Sequence, residues 1–287
     1  MAKNSLALGS MCSIGAAFFL ACMRIAVSAT EGVPAAEQLW FRSLWGVIAL
    51  LPFAIRERRK GVSLIGRGKT KKALFLRSLV GFASTIALFY ALGIGRQADI
   101  TIISKTSPFF IFIFSVVFLR QKAQKVQIPA LFLAFLGAYF VISPQMETGL
   151  LPLLIALFSA IMEGGAITYI DYLQRHEQPF VVLWYYYAFS LVASFLFSLP
   201  NFVIPAASEW RGLFLIGFFA FLGQLTLNGS LRLAEASKVG IYHYFGIVFS
   251  MLLGYFCLGE AINKGTLFGG ILVIAAGLIV YFFKEKE

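Results

Sequence analysis

Apolar runs of roughly twenty residues recur along the whole chain, each closed by a short polar or Pro/Gly-containing break. A helix needs about 20 apolar residues to cross a hydrocarbon core of about 30 Å. The runs predict ten helices, near residues 5–28, 36–55, 73–94, 98–119, 126–143, 150–172, 180–199, 211–231, 236–258 and 265–283. The longest connection, RERRKGVSLIGRGKTKK at 56–72, leaves no room for a soluble domain. The first run is long for a leader's apolar stretch and Arg24 interrupts its end, so it reads as an uncleaved span. The pattern predicts an all-α integral membrane protein.

Charge then orients the spans. The 56–72 connection carries eight Lys/Arg, and basic loops stay cytoplasmic. Alternate connections fall on the same side: RQKAQK (120–125), QRHEQ (174–178), RLAEASK (232–238) and the tail KEKE. The opposite set, TEGVPAAEQ (30–38), PQMETG (144–149) and NKG (263–265), is nearly free of basic residues. This places 17 of the 24 Lys/Arg inside, three outside and four within spans, with both termini cytoplasmic. Composition agrees: 60% of the 287 residues are hydrophobic and 13% charged, against about 25% charged in soluble domains. The net charge of +11 sits in short loops beside spans. It therefore reports topology and attraction to anionic lipid headgroups, not nucleic-acid binding. Cys12, Cys22 and Cys257 lie in apolar runs without a CxxC pair, which makes them packing residues and indicates no metal site.

The chain also matches itself. At a shift of 139 residues LFL at 74–76 meets LFL at 213–215, and Phe82, Leu92, Ile102, Phe110, Leu119 and Lys125 meet identical residues. Further upstream the shift becomes 144, where LW at 39–40 meets LW at 183–184. The expected halves are 1–146 and 147–287, five spans each. An odd number of spans inserts the second half the other way up. Inverted repeats are a signature of transporters, whose halves rock around a midplane site.

Ten spans in two five-helix repeats resemble the EamA-type members of the drug/metabolite transporter superfamily. TSPFFIFIFSVVFL (106–119) is similar to the family's stretch in the fourth span, and LGE (258–260) to its ending in the ninth. QLWFRSLWGVIALLP (38–52) and FYALGIGRQADITIISKTSP (89–108) also look like this group. Two departures stand out: LRQ (119–121) lacks the usual acidic residue, and the second repeat lacks a counterpart of Pro108. The resemblance implies a metabolite carrier of the plasma membrane, of the bacterial inner-membrane kind, with a central cavity and no cofactor.

The candidate chemistry lies inside the spans. A charge at a helix centre costs at least ~2.5–3.5 kcal/mol, so such groups are expected to face the bundle interior. Arg24, Arg42 and Lys105 fall in the outer halves of neighbouring spans, Lys105 roughly 10 Å deep at 1.5 Å per residue. Glu163 is the one carboxylate expected at depth. One carboxylate cannot neutralise three cations, so the substrate is expected to carry carboxylate or phosphate, which arginine's planar fork suits. Arg77, nearer the inner end, is expected to snorkel to the interface. Pro108 is expected to bend span four and free the Ser104 carbonyl. His243, opposite Ser104 in the repeat alignment, is a candidate for proton response together with Glu163. Tyr242, Tyr244, Gln224 and Asn228 are candidates for the lining; the WYYY run at 184–187 offers aromatic walls or hydrogen bonds as well, with an interfacial belt the stronger reading. Glycines of span ten (Gly265, Gly269, Gly270, Gly277) favour close helix approach, within the chain or in a homodimer.

The expected function is secondary active transport of a small anionic or zwitterionic organic metabolite by alternating access. The alternative on the same fold is export of amino acids or amphipathic amines, with Glu163 holding an ammonium group. A membrane enzyme acting on lipid-linked substrates fits poorly: the two histidines stand far apart, and no carboxylates pair at depth. No Walker-type loop supports direct ATP drive.

Overall fold

A computed structural model of the chain describes residues 2–28, 30, 32–68, 70–95, 97–122, 124–142, 148–258 and 264–283. Its helices are α1 (Ala2–Ser28), α2 (Ala35–Arg59), α3 (Thr70–Ile94), α4 (Gln97–Ser104), α5 (Ser107–Leu119), α6 (Gln127–Ile142), α7 (Leu150–His176), α8 (Pro179–Ser198), α9 (Trp210–Leu233), α10 (Ala236–Val239), α11 (Phe245–Leu258) and α12 (Lys264–Phe282). Among the described residues, eight helical stretches are long and apolar enough to cross a membrane. Gln127–Ile142 and Leu267–Phe282 are shorter apolar helices. Gly259 and Glu260 of the LGE ending and most of the PQMETG connection lie outside the described residues.

The fourth and ninth spans, predicted as continuous helices, are both broken. Between α4 and α5, Lys105 and Thr106 form a turn. The Lys105 amide is shared between the carbonyls of Thr101 and Ile102, both at 3.1 Å, and the Thr106 amide reaches Ile103 at 3.0 Å. Pro108 opens the next helix, where a missing N–H costs little and a fixed φ is already suited. In the ninth span a 3-10 segment, Gly240–Tyr244, separates α10 from α11 with no proline to impose it. Such a stretch inside a helix marks a hinge or local strain. The two breaks meet. Tyr244 Oη donates to the Lys105 carbonyl at 2.8 Å, next to the Ser104 carbonyl.

Packing follows pairs of helices. α1 lies along α9, α3 along α7, α2 along α8 and α6 along α12. α7 also touches α4 and α5, while α1 touches α11. At the α6–α12 crossing backbone meets backbone. A Cβ placed on Gly137 would stand 2.6 Å from the Gly269 carbonyl oxygen, which only glycine avoids. Gly269 thus serves a contact within the chain. Large apolar side chains such as Phe118, Phe132, Leu150 and Phe256 point outward, as a lipid solvent requires.

Among the described residues three carboxylates, Glu37, Asp99 and Asp171, are fully buried, all at span ends, whereas Glu163 is partly buried. Glu37 accepts from the Val203 amide at 3.0 Å. Asp99 accepts from the Thr148 amide (3.1 Å) and hydroxyl (2.7 Å). Asp171 accepts from Gln121 Nε2 (2.5 Å), from the Ala236 amide (2.8 Å) and from Arg175 Nε and Nη2 (both 3.2 Å). Gln121 in turn accepts from the Ser237 amide at 3.2 Å. One carboxylate therefore clasps α7 to the ends of α5 and α10, on the side the loop charges mark as cytoplasmic.

Candidate functional site: a charged central chamber

The helices enclose a cavity of about 320 Å³ in the middle of the bundle, lined from α1, α2, α3, α4, α7, α8 and α9 and by the turn at Lys105 and the 3-10 segment. Its walls include Val27, Gln38, Leu88 and Phe89, close to the ends marked as outer, and reach Arg77 and Ile170 on the inner side. Below that inner limit lies the Asp171 clasp. A smaller cavity of about 100 Å³ adjoins it and shares Arg24, Ser104, Lys105, Glu163 and His243.

The shared wall is one charge cluster. Glu163, from the middle of α7, is an electrostatic neighbour of Arg24 on α1, Lys105 on the α4–α5 turn and His243 on the 3-10 segment. The two helix breaks are what bring Lys105 and His243 there. Arg24 carries appreciable exposed surface and lines both cavities. Its Nη2 lies against Gly246 of α11, where a Cβ would stand 2.9 Å away. Its charge is directed inward, not toward a headgroup.

The far wall holds a second cluster. Arg77 is buried, 3% exposed, with its guanidinium carbon 3.6 Å from the centre of the Tyr186 ring. Stacking of this kind is favourable, more so where water is excluded. Arg77 Nη2 donates to Gln224 Oε1 at 3.4 Å, a long bond, while Nε and Nη1 find no acceptor. Arg42, 8% exposed, is in polar contact with the Tyr186 phenol, is an electrostatic neighbour of Arg77, and leaves its Nε without an acceptor. Two corrections follow. Arg77 does not snorkel, and Tyr186 and Tyr187 are buried (4% and 1% exposed) instead of forming an interfacial belt. Tyr186 lines the chamber.

Of the expected site residues, Arg24, Arg42, Lys105, Ser104, Gln224, Glu163 and His243 line the larger cavity, and Pro108 lines the smaller. Tyr242, Tyr244 and Asn228 line neither. Tyr242 sits in the core in polar contact with Ser10. The Tyr244 hydroxyl is committed to Lys105. Asn228 accepts from Gln174 Nε2 at 2.8 Å and donates to the Gln224 carbonyl at 2.8 Å. Gln224 and Asn228 share one face of α9, a turn apart, but Gln174 of α7 engages the second. Among the described residues no group of His, Cys, Asp or Glu could hold a metal ion. The chamber's walls can bind and neutralise charge.

Known proteins share the architecture. A family described as the EamA-like transporter family matches residues 7–143 and 150–282. The chain is 28% identical to the Pseudopaline exporter CntI of Pseudomonas aeruginosa over 96% of both chains. It is 24% identical to an S-adenosylmethionine uptake transporter of Rickettsia bellii, over 87% of this chain and 84% of that one. It is 23% identical to solute carrier family 35 member G1 of Homo sapiens, over 94% of this chain and 78% of that one. One crystal structure superposes with a TM-score of 0.82 at 17% identity, over 94% of this chain and 95% of that one, a likeness of fold.

Proposed function

Since the chain belongs to the EamA-like transporter family, we propose that it moves a small anionic or zwitterionic organic metabolite across the membrane by secondary active transport. The central chamber is the binding site, and access to it alternates between the two sides. The observation that carries this reading is the imbalance of its walls. Four cations (Arg24, Arg42, Arg77, Lys105) face one carboxylate, Glu163. Buried charges persist when paired and are costly when not. An entering carboxylate or phosphate supplies the missing partner.

The two halves, 1–146 and 147–287, are read as inverted five-helix repeats that rock about the chamber. Pairing of α1 with α9 and of α3 with α7 supports this, because the first span then meets the eighth as the third meets the sixth. Glu163 and His243, on the wall shared by both cavities, are read as the groups that respond to protonation or gating.

The test is a thermal-shift screen of the purified protein against organic anions, nucleotides and amino acids. Stabilisation by anions that is lost in Arg42→Ala supports the reading. Stabilisation by cationic ligands alone overturns it. It would favour the second reading, export of amino acids or amphipathic amines, which the exposure of Glu163 to both cavities also permits.

A further inference from the structure

The chamber's two charge clusters are unlike, and the difference bears on its cargo. At the shared wall Arg24 and Lys105 stand around Glu163, so one of those two charges is answered by protein. At the far wall no carboxylate is among the charged neighbours of Arg42 or Arg77; each has the Tyr186 phenol and the other guanidinium. Two like charges on one wall repel, and three of their nitrogens (Arg42 Nε, Arg77 Nε and Nη1) have no acceptor among the described residues. A buried donor without a partner costs about 1–3 kcal/mol, more when charged. The chain nevertheless holds this arrangement firmly. Tyr186 covers one face of the Arg77 guanidinium, and Gln224 takes Nη2. The bare backbone of Gly81 leaves space at Nη1, where a Cβ would stand 3.1 Å away.

We propose that Arg77 and Arg42 form a second anion subsite, opposite Arg24, Lys105 and Glu163, so that the chamber takes an organic anion with an acidic group at each end. The proposal rests on the reading of the chamber as the substrate site. After Glu163 cancels one cation, charge remains at both walls: two guanidinium groups on one and one cationic group on the other. A monoanion answers one wall and leaves the other uncompensated. A dicarboxylate, or a carboxylate that also carries phosphate, answers both. The planar, fixed guanidinium of Arg77 selects an acid group able to accept two parallel hydrogen bonds. The apolar surfaces of Leu227 and Ile167, also in the lining, suit a hydrocarbon spacer.

The experiment is calorimetric titration of the full chain in detergent with α,ω-dicarboxylates of increasing length, each against the monocarboxylate of equal carbon number. The expected result is a preference of about tenfold or more for the diacid at one chain length, falling to about one in Arg77→Gln. Gly81→Ala, which keeps both charges and crowds Nη1, is expected to reduce the preference several-fold, and it serves if Arg77→Gln does not fold. Diacids and monoacids bound equally at every length, or a diacid preference unchanged in both variants, would overturn the second subsite and leave the anion reading standing. Binding of amines with no binding of either acid series would overturn both.

Discussion

The hydroxyl of Tyr244 donates to the carbonyl of Lys105 at 2.8 Å, and the two residues stand 139 positions apart, the shift at which the chain matches itself. Arg42 and Tyr186, also in polar contact, stand 144 apart, the shift found further upstream. Where a two-fold axis relates two copies of a surface, residues on the axis meet their own counterparts. Each contact joins two residues that the self-match aligns. One joins the two broken helices and the other joins α2 to α8, at opposite walls of the chamber.

Tyr244→Phe removes the hydroxyl and leaves a carbonyl at the break without its donor. The expected loss is about 1 kcal/mol, read as a lower melting temperature of the purified protein. A variant that melts with the wild type would show that the two breaks are not held together by this bond.

Asp171→Asn loosens the clasp beneath the chamber. An amide offers one acceptor oxygen where the carboxylate used two, and its NH2 faces donors from Gln121, Arg175 and the Ala236 amide. At least one donor is then unpaired, at about 1–3 kcal/mol. On a background with Cys12, Cys22 and Cys257 replaced, a cysteine introduced as Ile170→Cys is expected to react faster with an impermeant thiol reagent from the side of the clasp. Equal rates with and without Asp171→Asn would mean the clasp does not close that side.

Glu163→Gln removes the one carboxylate in the lining and leaves its cations unanswered. Charges in such a setting act at an effective dielectric well below that of water. Anion binding is therefore expected to tighten several-fold, measured by titration. Loss of anion binding would place Glu163 in direct contact with a cationic part of the cargo.

Gly137→Leu drives a side chain into the Gly269 backbone, where α6 and α12 cross. Overpacking of this kind costs about 1–3 kcal/mol or more, and the variant is expected to lose its monodisperse peak in size-exclusion chromatography. Leu136→Ala, one residue away and 47% exposed on the outer face, is expected to elute as the wild type.

The sequence exposed the helical pattern and most of the chamber because both leave strong marks: twenty-residue apolar runs, and single cations within them. Arg24, Arg42, Lys105, Glu163 and His243 could be found that way. Arg77 lies deeper in the bundle than its distance from the end of its own span suggests, and α3 begins at Thr70, ahead of its apolar stretch. A snorkelling arginine and one stacked on a tyrosine of another helix look alike in one dimension. Tyr186 is ambiguous for the same reason, since WYYY matches both an aromatic wall and an interfacial girdle until the facing helix is known. The break in span four was legible through Pro108. That in span nine was not, because Gly240–Tyr244 contains no proline and its geometry is set by contact with the first break. Asp99 and Asp171 sit at span ends, where acidic residues pass for loop residues until their buried partners are seen.

Flux through the reconstituted protein tests the central claim most directly. Proteoliposomes loaded with an organic anion that stabilises the purified protein should take up the labelled anion by counterflow, above protein-free vesicles, and Arg42→Gln should abolish that uptake. Counterflow of a cationic amine, with no movement of the anion and no effect of Arg42→Gln, would contradict an anion-transporting chamber.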